Sequence, residues 1–367
     1  MDIRFFRLDE IEVLKSAIDV LWSKNHILSR DEELLKYMFH SNPNTNLIVK
    51  DGHFSFLGAW EGKEVIGLLG IMPFQFNQVG KKGLGCCLTN WIVAPEHRAS
   101  GAGLALINFV QNLNPDMILS LGVSADGSKI YKLMRWNVQE DTPRWIGVLN
   151  KGKTAQIMLN GDTTSLRYWK EVEPYEVSTS YKCDILDDLN EASWNDFYWG
   201  SFAKKSIGIA RNYLFLKWRY FEHPTFDYKV IACSENSIYK GLAVVRIEQI
   251  EGGYKLGRIV EFMATDQDSA VSLSNKIIQL DPKILFFDFY CFSSISSWGL
   301  ESVGFKRILK SSNDKFVVPS RFQPIDLENT QMISAIYLSE KLRNKVNPML
   351  DQLWYVTKSD SDQDRPN

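Results

Sequence analysis

Apolar positions in the first third of the chain change their spacing in a fixed order. Over residues 10–24, Ile11, Leu14, Ile18, Leu21 and Trp22 recur at the intervals of one helix face. A second helical pattern, Asp31-Glu-Glu-Leu-Leu-Lys-Tyr-Met-Phe, stops before Pro43. Three apolar runs at 54–60, 64–76 and 85–93 then read as strands, with Glu61-Gly62-Lys63 as the hairpin turn between the first two. A helix running to about Asn112, a buried strand at 117–123 and a short helix at 127–135 follow, before Trp136.

The pattern then recurs. Leu35-Lys-Tyr-Met-Phe-His-Ser-Asn-Pro43 aligns with Leu216-Lys-Trp-Arg-Tyr-Phe-Glu-His-Pro224, sharing the leading Leu-Lys, the closing Pro and two aromatic positions. Gly67-Leu-Leu-Gly-Ile matches Gly241-Leu-Ala-Val-Val, and Tyr131-Lys-Leu-Met-Arg-Trp136 matches Leu300-Glu-Ser-Val-Gly-Phe305, in the same order. A duplicated fold is therefore expected. At 367 residues the chain suits two domains of ordinary size. The expected division is a first domain at 1–150, a polar connecting segment at 151–180, a second domain at 181–325 and a C-terminal region at 326–367. The last region reads as an amphipathic helix within 326–345 (Met332, Ile336, Leu338, Leu342), a strand at Leu353-Trp-Tyr-Val and an acidic end.

One stretch of the first copy has no counterpart in the second: Trp91-Ile-Val-Ala-Pro-Glu-His-Arg98-Ala-Ser-Gly101-Ala-Gly103-Leu-Ala-Leu-Ile. Gly101 and Gly103 permit backbone conformations closed to most residues, so successive amides can converge on an anion at a helix N-terminus. Arg98 adds a formal charge at the same spot. Where the second copy would carry this turn it reads Thr265-Asp-Gln-Asp-Ser, acidic and free of glycine, which repels a phosphate. Neither a Gly-Lys-Ser/Thr loop nor a Gly-x-Gly-x-x-Gly fingerprint is present at this turn.

The spacing Arg98-x-x-Gly101-x-Gly103 resembles the pyrophosphate-binding motif of the GNAT superfamily of acyl-CoA N-acyltransferases, and the element order over residues 1–150 resembles the GNAT core. The resemblance implies an α/β (α+β) fold of two GNAT-like domains, each a mixed, mostly antiparallel sheet flanked by helices. It implies acetyl-CoA as the cofactor of the first domain alone. Residues 89–94 would be the splayed strand that holds the pantetheine arm and polarises the thioester, placing Ile92, Val93 and Ala94 at the cofactor. Arg98, Ala99, Ser100, Gly101, Ala102 and Gly103 would hold its pyrophosphate, and Ser124 would hydrogen-bond it. Tyr131 resembles the tyrosine that many GNAT enzymes use to protonate the departing thiolate. Arg135 stands where that pattern usually has a glycine. Asn90 lies where related enzymes often carry a carboxylate; an amide is no base at neutral pH, so it is expected to orient the amine or a water. Asp360 and Asp362, within Asp360-Ser-Asp362-Gln-Asp364-Arg365, are candidates for the base. Acidic chain ends are ordinarily solvated tails; the apolar run before this one offers a strand to carry the carboxylates inward.

Further candidates weigh less. Glu261 and Asp288 lie in apolar strands and are expected either to serve the site or to pair with Arg246 or Arg258. His97 reads as a loop histidine, and His40, His53 and His223 show no metal spacing. Cys86 and Cys87 put one thiol on each face of a strand. The chain is rich in aromatic residues, with 11 Trp, 14 Tyr and 21 Phe; Trp194-Asn-Asp-Phe-Tyr198-Trp199 and Trp218-Arg-Tyr-Phe suit core packing and sugar stacking alike.

Hydrophobic residues make up 45% and charged residues 23%, enough for each half to bury a core. A formal net charge of -2 gives no basic field, so nucleic acid is not expected as a partner. The five cysteines are scattered without a Cys-x-x-Cys pair, and no apolar run reaches spanning length, so a soluble cytoplasmic protein without a membrane span is expected. The Asn-Pro segment, the Trp-Arg-Tyr-Phe run and the Asp-Ser-Asp ending resemble two-domain acyltransferases of bacterial surface-polysaccharide synthesis. That narrower resemblance implies an amino-sugar acceptor, linked to a nucleotide. The alternatives are a Fem-type aminoacyl transferase using charged tRNA and a catalytically silent GNAT-like binding protein.

Overall fold

The computed structural model describes residues 1–177, 180–292, 297–308, 331–346 and 353–365. Helix starts follow local chemistry. The Asp31 side chain accepts from the Leu34 amide to open the Glu32–Phe39 helix, and Asp266 accepts from Ser269 to open the Gln267–Ile278 helix. Among the described residues sixteen strands join in one continuous path of pairing. They are β1 (Asp2–Arg7), β2 (His53–Glu61), β3 (Glu64–Gln78), β4 (Lys81–Val93), β5 (Met117–Leu121), β6 (Asn137–Gln139), β7 (Arg144–Val148) and β8 (Lys182–Leu186). The series continues with β9 (Ile207–Ile209), β10 (Tyr228–Glu235), β11 (Ile238–Gln249), β12 (Lys255–Ala264), β13 (Ile284–Phe292), β14 (Lys306–Ile308), β15 (Ser334–Leu338) and β16 (Trp354–Thr357).

The path consists of two similar sheets. In the first, β1, β2, β3 and β4 pair antiparallel in order, β4 pairs β5 in parallel, and β15 lies antiparallel between β5 and β6. In the second, β8, β10, β11 and β12 pair antiparallel, β12 pairs β13 in parallel, and β7 lies antiparallel between β13 and β14. The sixth position is thus filled reciprocally. β7 precedes the second half in sequence yet pairs within its sheet, whereas β15 comes from near the chain's end and pairs within the first sheet. β9 and β16 bridge the two: β9 pairs the last residues of β3 and runs parallel to β16, which pairs Cys291 and Phe292 of β13.

The expected helix within 326–345 is corrected here. Ser334–Leu338 is a strand, and only Glu340–Arg343 is helical. Ser334, Ile336 and Leu338 alternate as well as they recur helically, and the open edges of β5 and β6 supply ladder partners on both sides. Residues 326–330 lie outside the described residues.

The two aligned sequence segments meet face to face. Tyr37 stacks on Trp218 with ring centroids 5.0 Å apart. The Tyr37 hydroxyl donates to the Trp218 carbonyl at 2.7 Å, and the Trp218 indole donates to the Tyr37 carbonyl at 3.3 Å. These residues occupy equivalent positions of the sequence alignment, so the contact has the reciprocity of a two-fold interface. The core is shared accordingly: one buried cluster contains Phe6, Leu34 and Phe56 from the first half with Trp194, Phe262 and Val356 from the second.

Candidate active site

The parallel register of β4 and β5 ends at Leu88 and Ser120, although β4 runs on to Val93. The strands part there because β4 bulges. Gly70 pairs Thr89 but Leu68 pairs Ile92, which leaves one extra residue on β4. Asn90 sits in this bulge with φ 49°, a left-handed conformation that asparagine tolerates better than most side chains. Opposite, a Cβ on Gly70 would collide with the Thr89 hydroxyl, so only glycine lets β3 lie this close to the bulge. Asn90 is buried, yet both atoms of its amide and the Thr89 hydroxyl have no hydrogen-bond partner among the described residues. Buried orphans of this kind are uncommon and are satisfied by water or a ligand. They lie at the start of the cleft between two parted parallel strands.

Beyond the cleft, β4 leads into the residues the resemblance assigns to pyrophosphate. Ile92 and Val93 are half-buried, and the Ala94 amide donates to the Ile66 carbonyl at 2.9 Å. Residues Pro95–Ser100 form a short, tightly wound 3-10 helix. Gly101 follows with φ 83°, ending that turn and capping the Ala102–Asn112 helix. The Ser100 hydroxyl accepts from the Ala102 amide at 3.2 Å. Other amides of a first helical turn have no acceptor within the helix, and here they open next to exposed Arg98, Ala99 and Gly101. Gly103 packs against Trp91 and Val93, where a Cβ would lie 3.4 Å from each, which sets the helix close on β4. Arg98 makes no salt bridge among the described residues. Asp126 lies within its field: Lys129 chiefly, and Arg98 in part, hold the Asp126 carboxyl below the usual range.

Ser124 and Tyr131 sit on the opposite side of the cleft. The Ser124 hydroxyl accepts from the Gly127 amide at 3.0 Å and so caps the Ala125–Leu133 helix, leaving its own O–H as the group free to meet a ligand. Tyr131 is buried between Trp91 and Trp136, at 5.3 and 4.5 Å between ring centroids, and its hydroxyl donates to the Ser120 hydroxyl at 3.4 Å. Burial pushes the phenol well above its usual pKa, so it holds its proton at neutral pH. Arg135 has φ 61°, a left-handed conformation that glycine adopts without strain and that here an arginine bears.

The acidic end is no solvated tail. Asp360, Asp362 and Asp364 are all buried, carried inward by β16. Asp360 pairs with fully buried Arg211, whose Nε also donates to Glu261 at 2.8 Å. One guanidinium thus serves two carboxylates, and burial pushes the Asp360 carboxyl up to about 7 although Arg211 opposes the shift. Glu261 accepts additionally from Tyr220, Ser359 and Tyr355 at 2.7, 3.0 and 2.7 Å. The expectation that it pairs with Arg246 or Arg258 is therefore corrected: its partner is Arg211, five residues before the second aligned motif. Asp288 does pair with Arg258, at 2.6 Å, and with Arg144 of β7. Asp364 accepts from the Tyr228 hydroxyl at 2.7 Å and from Arg246 at 2.9 Å. Asp362 binds Arg365 at 2.5 Å.

This tail explains why the halves differ. β12 and β13 also pair in parallel and part after Ile259 and Phe289. Into that second cleft the chain inserts β16: Thr357 pairs Cys291, the Tyr355 hydroxyl accepts from the Phe262 amide at 2.9 Å, and Ser359 donates to the Val260 carbonyl at 3.2 Å. At the start of the helix that follows β12, the Asp266 side chain accepts from the Ser269 amide at 2.8 Å and puts a carboxylate where the first half has Gly101. From there the tail crosses to the first half, where the Gln363 side chain lies against Gly122 so closely that a Cβ on Gly122 would overlap it. The electrostatic influence of Asp362 and Asp360 reaches buried Cys87 of β4. Gln363, Gly122 and Trp136 thus join Thr89 and Trp91 of the expected pantetheine strand at the candidate site, and no local motif singled out Gly122.

The other candidates fall outside it. Trp194 and Trp218 are core residues, the first fully buried and the second stacked on Tyr37. His97 lies 3.5 Å from Glu61 at the outer end of β2. Cys86 and Cys87 are both fully buried, on opposite faces of β4.

The chain matches no protein-family model and no curated protein. It is similar in fold to solved structures. A GCN5-related N-acetyltransferase from Anabaena variabilis superposes with a TM-score of 0.56 at 12% identity, covering 92% of this chain and 73% of that one. A probable N-acyltransferase from Enterococcus faecalis gives 0.55 at 11% identity, covering 91% and 71%. A GCN5-related N-acetyltransferase from Kribbella flavida gives 0.54 at 14% identity, covering 92% and 72%. What the chain shares with all three is the fold, a large and mostly antiparallel mixed sheet flanked by helices.

Proposed function

We propose that this chain is an N-acyltransferase that moves an acetyl group from coenzyme A to the amine of an amino sugar, linked to a nucleotide, with both halves of a duplicated GNAT-like fold contributing to the site. The observation that carries this reading is the asymmetry of the two clefts. The cleft between β4 and β5 retains buried orphaned polar atoms and opens on a glycine-started helix beside Arg98, whereas the cleft between β12 and β13 is filled by β16. The likeness to acetyltransferases in fold supports the reaction class.

Bound acetyl-CoA would supply an activated thioester and a thiolate leaving group. Arg98 and the first amides of the Ala102–Asn112 helix would hold its pyrophosphate, as helix N-termini hold anions. Ile92, Val93 and Ala94 would present backbone groups to the arm, and the Asn90 amide and Thr89 hydroxyl would find their missing partners. Tyr131, which burial keeps protonated, would be the group to donate a proton to the departing thiolate. Asp360 and Asp362, whose field reaches Cys87 of β4, would be the candidates to accept the amine's proton, Asp360 with its carboxyl pushed up to about 7 by burial. An acceptor lying between the halves also suits the residues of the Asp-Ser-Asp ending, which carry the likeness to sugar-modifying enzymes.

Titration calorimetry with acetyl-CoA tests the reading. Binding is expected in the micromolar range common for such substrates, and Arg98→Glu is expected to weaken it at least tenfold by setting a negative charge against the pyrophosphate. No heat with the parent protein at millimolar acetyl-CoA would remove the cofactor and the reaction with it.

A further inference from the structure

Two thiols far from the cleft stand in disulfide register. β8 and β10 pair antiparallel at one end of the strand path, and Cys183 lies directly opposite Cys233. Directly opposed residues of antiparallel strands have Cα atoms about 4.5 or 5.5 Å apart, according to their hydrogen-bonding class, and both values fall within the roughly 4.4–6.8 Å that a disulfide spans. Opposed residues share one face of the sheet, and each of these two thiols bears on the ionisation of the other. Both are free in the structure. Cys233 is fully buried, while Cys183 is half-buried on a strand whose outer side has no ladder partner among the described residues. The Gln267–Ile278 helix packs over both strands and brings Lys276 near Cys183.

We propose that Cys183 and Cys233 are a reversible redox modification site, closing to a cross-strand disulfide when Cys183 meets a low-molecular-weight disulfide from solvent. The environment divides the labour. The Cys233 thiol opposite it, with help from Lys276, holds the Cys183 thiol below its usual pKa, which favours the nucleophilic thiolate. The Cys183 thiol and burial in turn hold the Cys233 thiol up, so it waits as the resolving group. The Cys183 thiolate attacks one sulfur of the solution disulfide and expels one thiolate. Cys233 then loses its proton to that base, attacks the Cys183 sulfur of the mixed disulfide and expels the second thiolate. Two protein thiols are oxidised, and one small disulfide is reduced to two thiols. The product staples the terminal strand β8 to the rest of its sheet. Cys86, Cys87 and Cys291 are buried and have no such opposed thiol among the described residues.

The test uses the full chain, treated with oxidised glutathione, unfolded in the presence of N-ethylmaleimide, and weighed intact. Two of the five cysteines are expected to escape alkylation, with a peptide map joining Cys183 to Cys233 and full reversal by dithiothreitol. Cys233→Ser is expected to stop at a stable mixed disulfide on Cys183, and Cys183→Ser to leave Cys233 unmodified. Five alkylated thiols after treatment, or a bridge between any other pair, would overturn the proposal. The peptide map of the unaltered chain decides the matter even where a serine variant folds poorly. Because no cofactor is involved, the result is independent of the acyltransferase reading.

Discussion

Tyr131 shows what one side chain of the candidate site is expected to contribute. Its ring is fixed by Trp91 and Trp136, and its hydroxyl contacts Ser120 alone among the described side chains. Tyr131→Phe therefore keeps the stack and removes one acidic proton. Acetyl-CoA affinity by calorimetry is expected to stay within about twofold, while turnover falls about 100-fold or more, the low end of general-acid contributions. Undiminished turnover would take the proton from another donor. Asn90 and Arg135 carry a different lesson, because both are left-handed without being glycine. The bulge that needs Asn90 is a property of the β3–β4 register, and no reading of residues 89–94 in isolation reveals it.

At the scale of elements, the decisive piece is β16 with the tail behind it. It fills one cleft and borders the other, and its carboxylates face buried arginines from several strands and turns. Asp360 gives this element a measurable pH signature. Its unfolded value is near 3.8 and its folded value about 7, so between them the folded chain holds a proton that the unfolded chain has lost. The contribution of Asp360 is thus fully present below about pH 4 and declines as the pH rises to about 7. Asp360→Asn removes that proton. In urea unfolding at pH 4, 5.5 and 7, the stability of the parent minus that of the variant is expected to fall with pH, by at most about 1.4 kcal/mol per unit. His26 and His223, lowered chiefly by burial to about 4 and about 3, act with the opposite sign but are common to both proteins. Lys358, lowered to about 7 by burial, gains stability only above that pH. A difference that does not vary with pH would mean that Asp360 is ionised throughout.

At the scale of the whole molecule, the reciprocal placement of β7 and β15 ties the halves together. Residues 1–150 alone would lack β15 between β5 and β6 and would leave β7 without β13 and β14. Unpaired edges and uncovered apolar faces of that extent favour aggregation over folding. Expressed alone, residues 1–150 are expected to be insoluble or to lack a cooperative thermal transition, and co-expression with residues 151–367 is expected to restore one. A stable, cooperatively melting fragment would show that the exchanged strands add little to either half.

The sequence by itself determined most local elements of the first half and the glycine turn between β4 and the helix after it. Periodicity located helices and β2 to β5, and the glycines at 101 and 103 marked the turn that opens the Ala102–Asn112 helix. Those features follow from contacts within a few residues, which is the range over which spacing and propensity act. Tertiary structure decided the rest. Ser334–Leu338 is a strand because β5 and β6 offer it two ladders, and Asp360 to Asp364 are buried because Arg211, Arg219 and Arg246 wait in the interior. Gln363 meets Gly122 only because β16 threads one cleft before the tail reaches the other. Partners so distant along the chain leave no mark on local spacing, and the buried charges are stable only once all of them have assembled.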